Sequence, residues 1–369
     1  MDFFKRISDL MTPPPETEAM SAANQQAALT LAQPDPPSAT LGQLVKTLVA
    51  APDLEHPSAV KAVAELKAIA NQSGLYVVAS KMRYQLDAMP RADVNGIVNW
   101  KDRAYVLAAD FIYQHITREI RAIEAEERPT SPNIFRSYCN ELVACLLYGK
   151  NVRRAIEMPV MIVEDLVHMA FDSGRNRDGL IELADVLLVS TVTQSLAKFE
   201  TDQRERVRRR QEAKRGDIPS TPPSDPVSVL SADCVAYAQR LQGSVEALRK
   251  GCSALPAVPL PTPQAEVSER AKFAQYIQQL AGLADRAGYT TCSATLRIRL
   301  GAIIESSDPP RTVALYRHAA SQLEALGSAE RALLFTKLSA RRFRLAAEIY
   351  ARIGEPQKAA TLQMGLVGQ

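Results

Sequence analysis

Histidine is scarce in this chain, with four residues in 369, tryptophan occurs once, and the five cysteines form no Cys-x-x-Cys pair. Those absences argue against a zinc module and against a disulfide framework, and an odd number of thiols fits a reducing compartment. No glycine-rich phosphate loop, dinucleotide fingerprint, Gly-x-Ser-x-Gly elbow or His-Glu-x-x-His pair is present, so no catalytic residue and no cofactor is assigned. Long apolar runs are also missing. The most apolar stretches, around 158–171 and 179–199, carry Glu164 and Asp165 or Glu182 and Asp185, which the interior of a bilayer would strongly disfavour. They read as buried amphipathic helices, and no transmembrane segment is expected. The first ten residues hold Asp2, Lys5, Arg6 and Asp9 in place of an apolar core, so no secretory signal is read there. The expected location is the cytoplasm, or, for an exported effector, a route that needs no such signal. Arginine over lysine and abundant alanine suggest a bacterial source.

What the chain does contain is helical periodicity. A 46% hydrophobic and 23% charged composition is that of a globular protein, and 369 residues are enough for two or three domains. Residues 1–40 form a proline-punctuated leader with too little apolar surface to order itself. At its start Phe3, Phe4, Ile7 and Leu10 recur at helical intervals, so residues 1–11 read as a short amphipathic helix able to dock on a partner or on its own domain. Residues 41–215 read as a helical bundle. Its signals are Ser58 capping 59–70, Asn99 opening a helix through Glu127, Ser131-Pro132 opening one that ends at Gly149, 151–171 with Pro159 inside, and Asp178 opening a helix to Lys214 of about 50 Å. Only 75–86, with Tyr76, Val77 and Val78, has strand character. Proline-rich linkers at 216–265 flank a helix at 231–250, and 266–369 form the last domain.

That last segment carries an internal pattern. Phe343, Ala346, Ala347, Tyr350, Gly354 and Ala359 have the spacing of an aromatic, two small residues, a tyrosine, a turn glycine and an alanine opening a second helix. Val313, Tyr316, Ala320 and Ala325 repeat it 34 residues earlier, and Ile277, Leu280, Ala281, Ala284, Gly288 and Ser293 repeat it again with an offset of two. Residues 266–369 resemble a tetratricopeptide repeat array, which implies stacked helical hairpins and protein partners. Gly327 marks a turn where the family's register has helix. The asparagines of the family's carboxylate-clamp variety are missing.

Three sets of residues are candidates for a site. His115 with Glu119 and Glu164 with His168 stand at i, i+4 on two helices and would hold a metal ion if those faces met, the pattern of a metal-dependent enzyme in a bundle core. Against it, the known dinuclear arrangement needs four carboxylates. Arg204, Arg206, Arg208, Arg209 and Arg210, with Lys214 and Arg215, give seven basic against two acidic residues over 204–215. This local +5 in a chain of net +3 suits a phosphate backbone. No aromatic residue interleaves with the run, and Glu205 and Glu212 lie inside it. Arg341, Arg342 and Arg344 precede the best repeat and would line a concave face for an acidic peptide. The expected fold class is all-α, and the expected role is a non-catalytic adaptor or scaffold for other proteins in a bacterial complex or as a secreted effector, with nucleic-acid binding through 204–215 as the alternative.

Overall fold

The computed structural model describes residues 38–52, 55–89, 100–124, 131–172, 176–215, 230–256, 258, 261 and 267–367. Residues 1–37, which include the amphipathic stretch 1–11 with Phe3, Phe4, Ile7 and Leu10, lie outside that set, as do the linker residues 216–229 and most of 257–266. Among the described residues there are thirteen α-helices and no strand. They are α1 (Ser38–Ala50), α2 (Pro57–Ser73), α3 (Leu75–Ala88), α4 (Trp100–Glu124), α5 (Pro132–Tyr148), α6 (Arg154–Asp172), α7 (Arg177–Arg215), α8 (Ala232–Cys252), α9 (Val267–Arg286), α10 (Thr290–Ile304), α11 (Pro309–Ala332), α12 (Thr336–Arg352) and α13 (Pro356–Val367).

Helix starts follow local chemistry. Ser231 accepts the backbone N–H of Cys234 at 3.3 Å to open α8, and Asp308 accepts that of Arg311 at 3.2 Å, with Pro309 next, to open α11. In α2 the cap lies earlier than expected, because Pro57 fills the first helical position. His56 Nδ1 takes the N–H of Ser58 at 3.4 Å, and the Ser58 hydroxyl bonds the same ring nitrogen at 2.7 Å. The strand-like stretch is helix α3. Tyr76, Val77 and Val78 are good strand formers, but Leu75, Val78, Ala79, Met82 and Leu86 are the buried positions, and that is a helical period. Helix α6 continues through Pro159, which forgoes one backbone hydrogen bond near its first turn.

In the C-terminal part each of α9 to α13 packs on its sequence neighbour. Gly288 and Gly354 take φ of 71° and 80° at the helix junctions, a conformation open to glycine, and the following N–H closes back on Ala284 and Tyr350 at 2.8 Å. No turn occurs at Gly327. Helix α11 runs through it to Ala332, and the chain turns at Leu334 (φ 61°). The reason is proximity: a Cβ on Gly327 would lie 2.9 Å from Arg342 Cβ, so a glycine here lets α11 and α12 approach closely. The long α11 sets the openings of α9 and α11 42 residues apart, and those of α10 and α12 46 apart, more than the 34 of the resembled family.

One apolar cluster extends from Leu41 to Leu338 and so draws on helices from both ends of the chain. A second, smaller one around Tyr316, Leu323, Ala346 and Tyr350 fills the last hairpins. Among the described residues the main core is continuous from one side of the proline-rich stretches to the other.

Candidate functional site along helix α6

Helix α6 touches α4, α5, α7, α8, α10 and α12, and a helix enclosed on so many sides must find partners for every polar group it carries. Glu157, Glu164 and Phe171 follow one another at intervals of seven, which places them on one face, the face turned to the C-terminal hairpins. Glu157 is buried, and its Oε1 accepts the backbone N–H groups of Lys337 at 2.5 Å and Leu338 at 2.9 Å. A carboxylate 180 residues away thus caps the first turn of α12, where unpaired N–H groups and the helix dipole favour negative charge. One turn earlier Arg153 donates to the Leu333 carbonyl at 2.6 Å, at the end of α11.

Further along, Arg342 of α12 is 4% exposed and lies between two carboxylates. Its Nη1 donates to Glu164 Oε2 at 2.9 Å and its Nη2 to Glu164 Oε1 and, at 3.1 Å, to Glu330 Oε1. The Tyr237 hydroxyl of α8 donates to the same Glu330 oxygen at 2.7 Å, and Thr291 of α10 donates to Glu164 at 3.2 Å. Glu164 of α6 is thus bonded directly from α10 and α12, and Glu330 of α11 and Tyr237 of α8 join the same network through Arg342. Burial pushes the Glu330 carboxyl above its ordinary value, since one guanidinium shared between two carboxylates compensates them only in part. The Arg342 guanidinium, flanked by both, is held as a cation. Next to Glu164 a cavity of about 30 Å³, room for one water molecule, is lined by His168, Tyr289, Thr291, Cys292 and Arg299. Burial holds the Tyr289 hydroxyl and the Cys292 thiol in their protonated forms.

The seam ends on two arginines that cap helices in the other direction. Arg299 of α10 donates to the Phe171 carbonyl at the end of α6 and lies over the Phe273 ring, 5.2 Å from its centre. Arg177, 5% exposed, donates to the Cys252 and Leu255 carbonyls at 2.8 and 2.9 Å and to the Tyr276 hydroxyl at 2.9 Å, so the start of α7 holds the end of α8 and the side of α9. Arginine suits both positions because its planar fork serves several acceptors at once. Chemically, the arrangement fastens helices to one another.

The sequence candidates distribute differently from their pairing in the chain. His115 lies among aromatic rings, 5.6 Å from Tyr76 and 4.6 Å from Tyr138, whereas Glu164 faces Arg342 and His168 lines the small cavity, so the four residues His115, Glu119, Glu164 and His168 do not form one metal centre. Among the described residues no three metal-ligating side chains gather. Arg342, expected on a partner-binding face, is buried in the seam, because its guanidinium compensates Glu164 and Glu330. Arg341 binds Asp165 at 3.1 Å, and Arg344 is exposed. On α7, Arg204 and Arg208 are 81% and 61% exposed. Arg204 reaches Glu200 at 3.4 Å, and Arg208 is bound by both Glu205 and Glu212, at 2.7 and 2.8 Å. Arg206 is half-buried, and the side chains of Arg209 and Arg210 lie outside the described residues. Sequence reasoning missed Arg153, Glu157, Arg177, Tyr237 and Glu330. The available signal was a charged residue inside an apolar stretch, as at Glu157.

One helix among the described residues, within 177–208, is long and apolar enough to cross a membrane by length and composition. More than half of its apolar window is buried in the fold, against α5, α6 and α8. Compared with protein-family models, with curated proteins and with solved structures, the chain gives no match.

Proposed function

We propose that this protein is a non-catalytic helical scaffold that binds other proteins, with the last turns of α7 as a principal contact surface. The observation behind this reading is the division of labour among polar residues. Those of the seam are occupied in fastening α6 to helices more than a hundred residues away, which makes a stiff body, and beyond Phe199 no described residue of α7 is buried. That end of α7 offers an exposed Val207 between Arg204 and Arg208. A rigid body with a projecting, mostly charged helix end suits recognition through an exposed face. The stacked hairpins of α9 to α13 provide further surface of the repeat type. Five unpaired, buried thiols fit a reducing compartment.

The test is purification of the tagged full chain from its native host beside a variant carrying Arg204→Glu, Val207→Asp and Arg208→Glu. A partner recovered in fixed stoichiometry with the native chain, and lost with the variant, is the expected result. Absence of any stoichiometric partner contradicts the scaffold reading. A partner kept by the variant moves the contact away from α7.

The exposure of Arg204 and Arg208 also favours a second reading, contact with nucleic acid. Local glutamates already compensate both. Binding to duplex DNA whose affinity falls steeply with salt, about 0.9 logarithmic units per phosphate contact for each tenfold rise, is the signature of that reading, and no binding at low salt ends it.

A further inference from the structure

A second cavity lies between α2, α4, α6 and α12, with a volume of about 280 Å³, close to the lower end of the range typical of ligand pockets. Its floor is apolar: Phe111, Met158 and Met161 are buried and Leu107 is half-buried. Methionine side chains adapt to varied shapes, so this floor suits a flexible hydrocarbon. Its charged lining is one-sided. Lys67, Arg154 and Lys337 face a single carboxylate, Asp110, for a local +2. Asp110 is already taken by Arg154 Nη2 at 2.8 Å. Arg154 Nε is buried without a hydrogen-bond partner, and neither Lys67 nor Lys337 has an ion-pair partner among the described residues, although both are exposed. The helix start beside Lys337 contributes little attraction of its own, since Glu157 occupies its N–H groups.

We propose that this cavity binds a small amphiphilic carboxylate, its hydrocarbon chain on Phe111, Met158 and Met161 and its carboxylate between Lys67, Arg154 and Lys337. Neither half of the ligand suffices. A bare anion leaves the apolar floor wet, and a neutral chain leaves three cations facing one carboxylate. The volume limits the chain to a short or medium length. The site touches both α6 and the first turn of α12, so an occupant adds to the contact between them.

The experiment is a titration of the full chain, labelled at its methionine methyl groups, with sodium octanoate. Met158 and Met161 are two of nine methionines, and their signals are identified by Met158→Leu and Met161→Leu. Saturable shifts confined to those two methyls are expected. Combined Lys67→Ala and Lys337→Ala weakens the binding at least tenfold and leaves the melting temperature unchanged, since both side chains are exposed and unpaired. Acetate, octanol and inorganic phosphate bind at least tenfold more weakly than octanoate. The proposal is overturned by the lack of a saturable shift at millimolar octanoate, by an affinity the double variant does not change, or by phosphate or octanol binding as well as octanoate.

Discussion

Glu157 and Leu338 stand 181 residues apart in the chain and 2.9 Å apart across a carboxylate-to-amide hydrogen bond. With the companion bond to Lys337, one side chain of α6 closes the start of α12, a task that a residue just ahead of a helix usually performs. Two consequences follow from the burial. Glu157→Ala strands two N–H groups away from water and is expected to destabilise the protein by about 2–3 kcal/mol, more than an exposed cap costs. Glu157→Gln keeps an acceptor but loses the charge, so its loss is smaller, about 1 kcal/mol. Denaturant midpoints rank the three proteins, and amide exchange in the first turn of α12 rises in both variants.

Arg342 compensates two buried carboxylates, so its loss is expected to be severe. Arg342→Met leaves Glu164 and Glu330 facing each other, at a cost of about 3–5 kcal/mol. Adding Glu164→Gln and Glu330→Gln removes the uncompensated charge and restores most of that stability, a rescue that a simple loss of packing would not show. Thermal unfolding of the single and triple variants separates the two cases.

The same cluster has a pH signature. Burial raises the folded carboxyl of Glu330 above its ordinary 4.5, so between 4.5 and the raised value the folded state holds more protons than the unfolded one. Stability from this group therefore falls as pH rises through that window. Asp165, raised by its own burial, adds a change of the same sign, whereas Asp285, lowered by Arg297 and Ser293, adds one of the opposite sign. Glu330→Gln isolates the effect. The stability of the variant relative to the native chain is expected to increase as pH rises above 4.5, and a pH-independent difference would refute the assignment.

Two backbone sites, one inside α11 and one just past its end, give opposite expectations. Gly327→Ala gains helix propensity of about 1 kcal/mol but forces a methyl to within 2.9 Å of Arg342 Cβ and 3.1 Å of Phe343, so a net loss of about 1–2 kcal/mol is expected. Leu334 is half-exposed and has a positive φ, which costs a branched side chain about 1 kcal/mol that glycine avoids. Leu334→Gly is therefore expected to raise the melting temperature, and Gly327→Ala to lower it.

The thiols should be inert in the folded protein. All five cysteines are buried and unpaired; burial pushes Cys139 and Cys145 up to about 12 and Cys252 up to about 11. Titration with an aromatic disulfide reagent at pH 8 is expected to modify fewer than one thiol per chain quickly, and five after denaturation.

Much of the helical layout was legible because its signals are local. Ser131 with Pro132, Ser231 and Gly149 mark boundaries that the structure keeps within a residue or two. The segment 75–86 was misleading where β-branched residues conceal a helical period, and Gly327 was misleading because a glycine that allows two helices to approach looks like one that ends a helix. The site was far less legible. Arg342 and Arg344 are alike in sequence, and the positions of Glu164, on a helix 178 residues away, and of Glu330 bury one and leave the other in water. Nor does an i, i+4 pair reveal which neighbour its face meets, which is why the pairs His115–Glu119 and Glu164–His168 stood together as a candidate centre although His115 and Glu164 have different surroundings.

Helix α6 is expected to bind the two halves of the chain into a single cooperative body. Amide exchange measured segment by segment in rising urea tests it most directly. Segments of α4 to α6 and of α10 to α12 are predicted to lose protection at the same urea concentration, and Glu157→Ala is predicted to move both together. Two separate transitions, with the variant shifting only the C-terminal one, would contradict it.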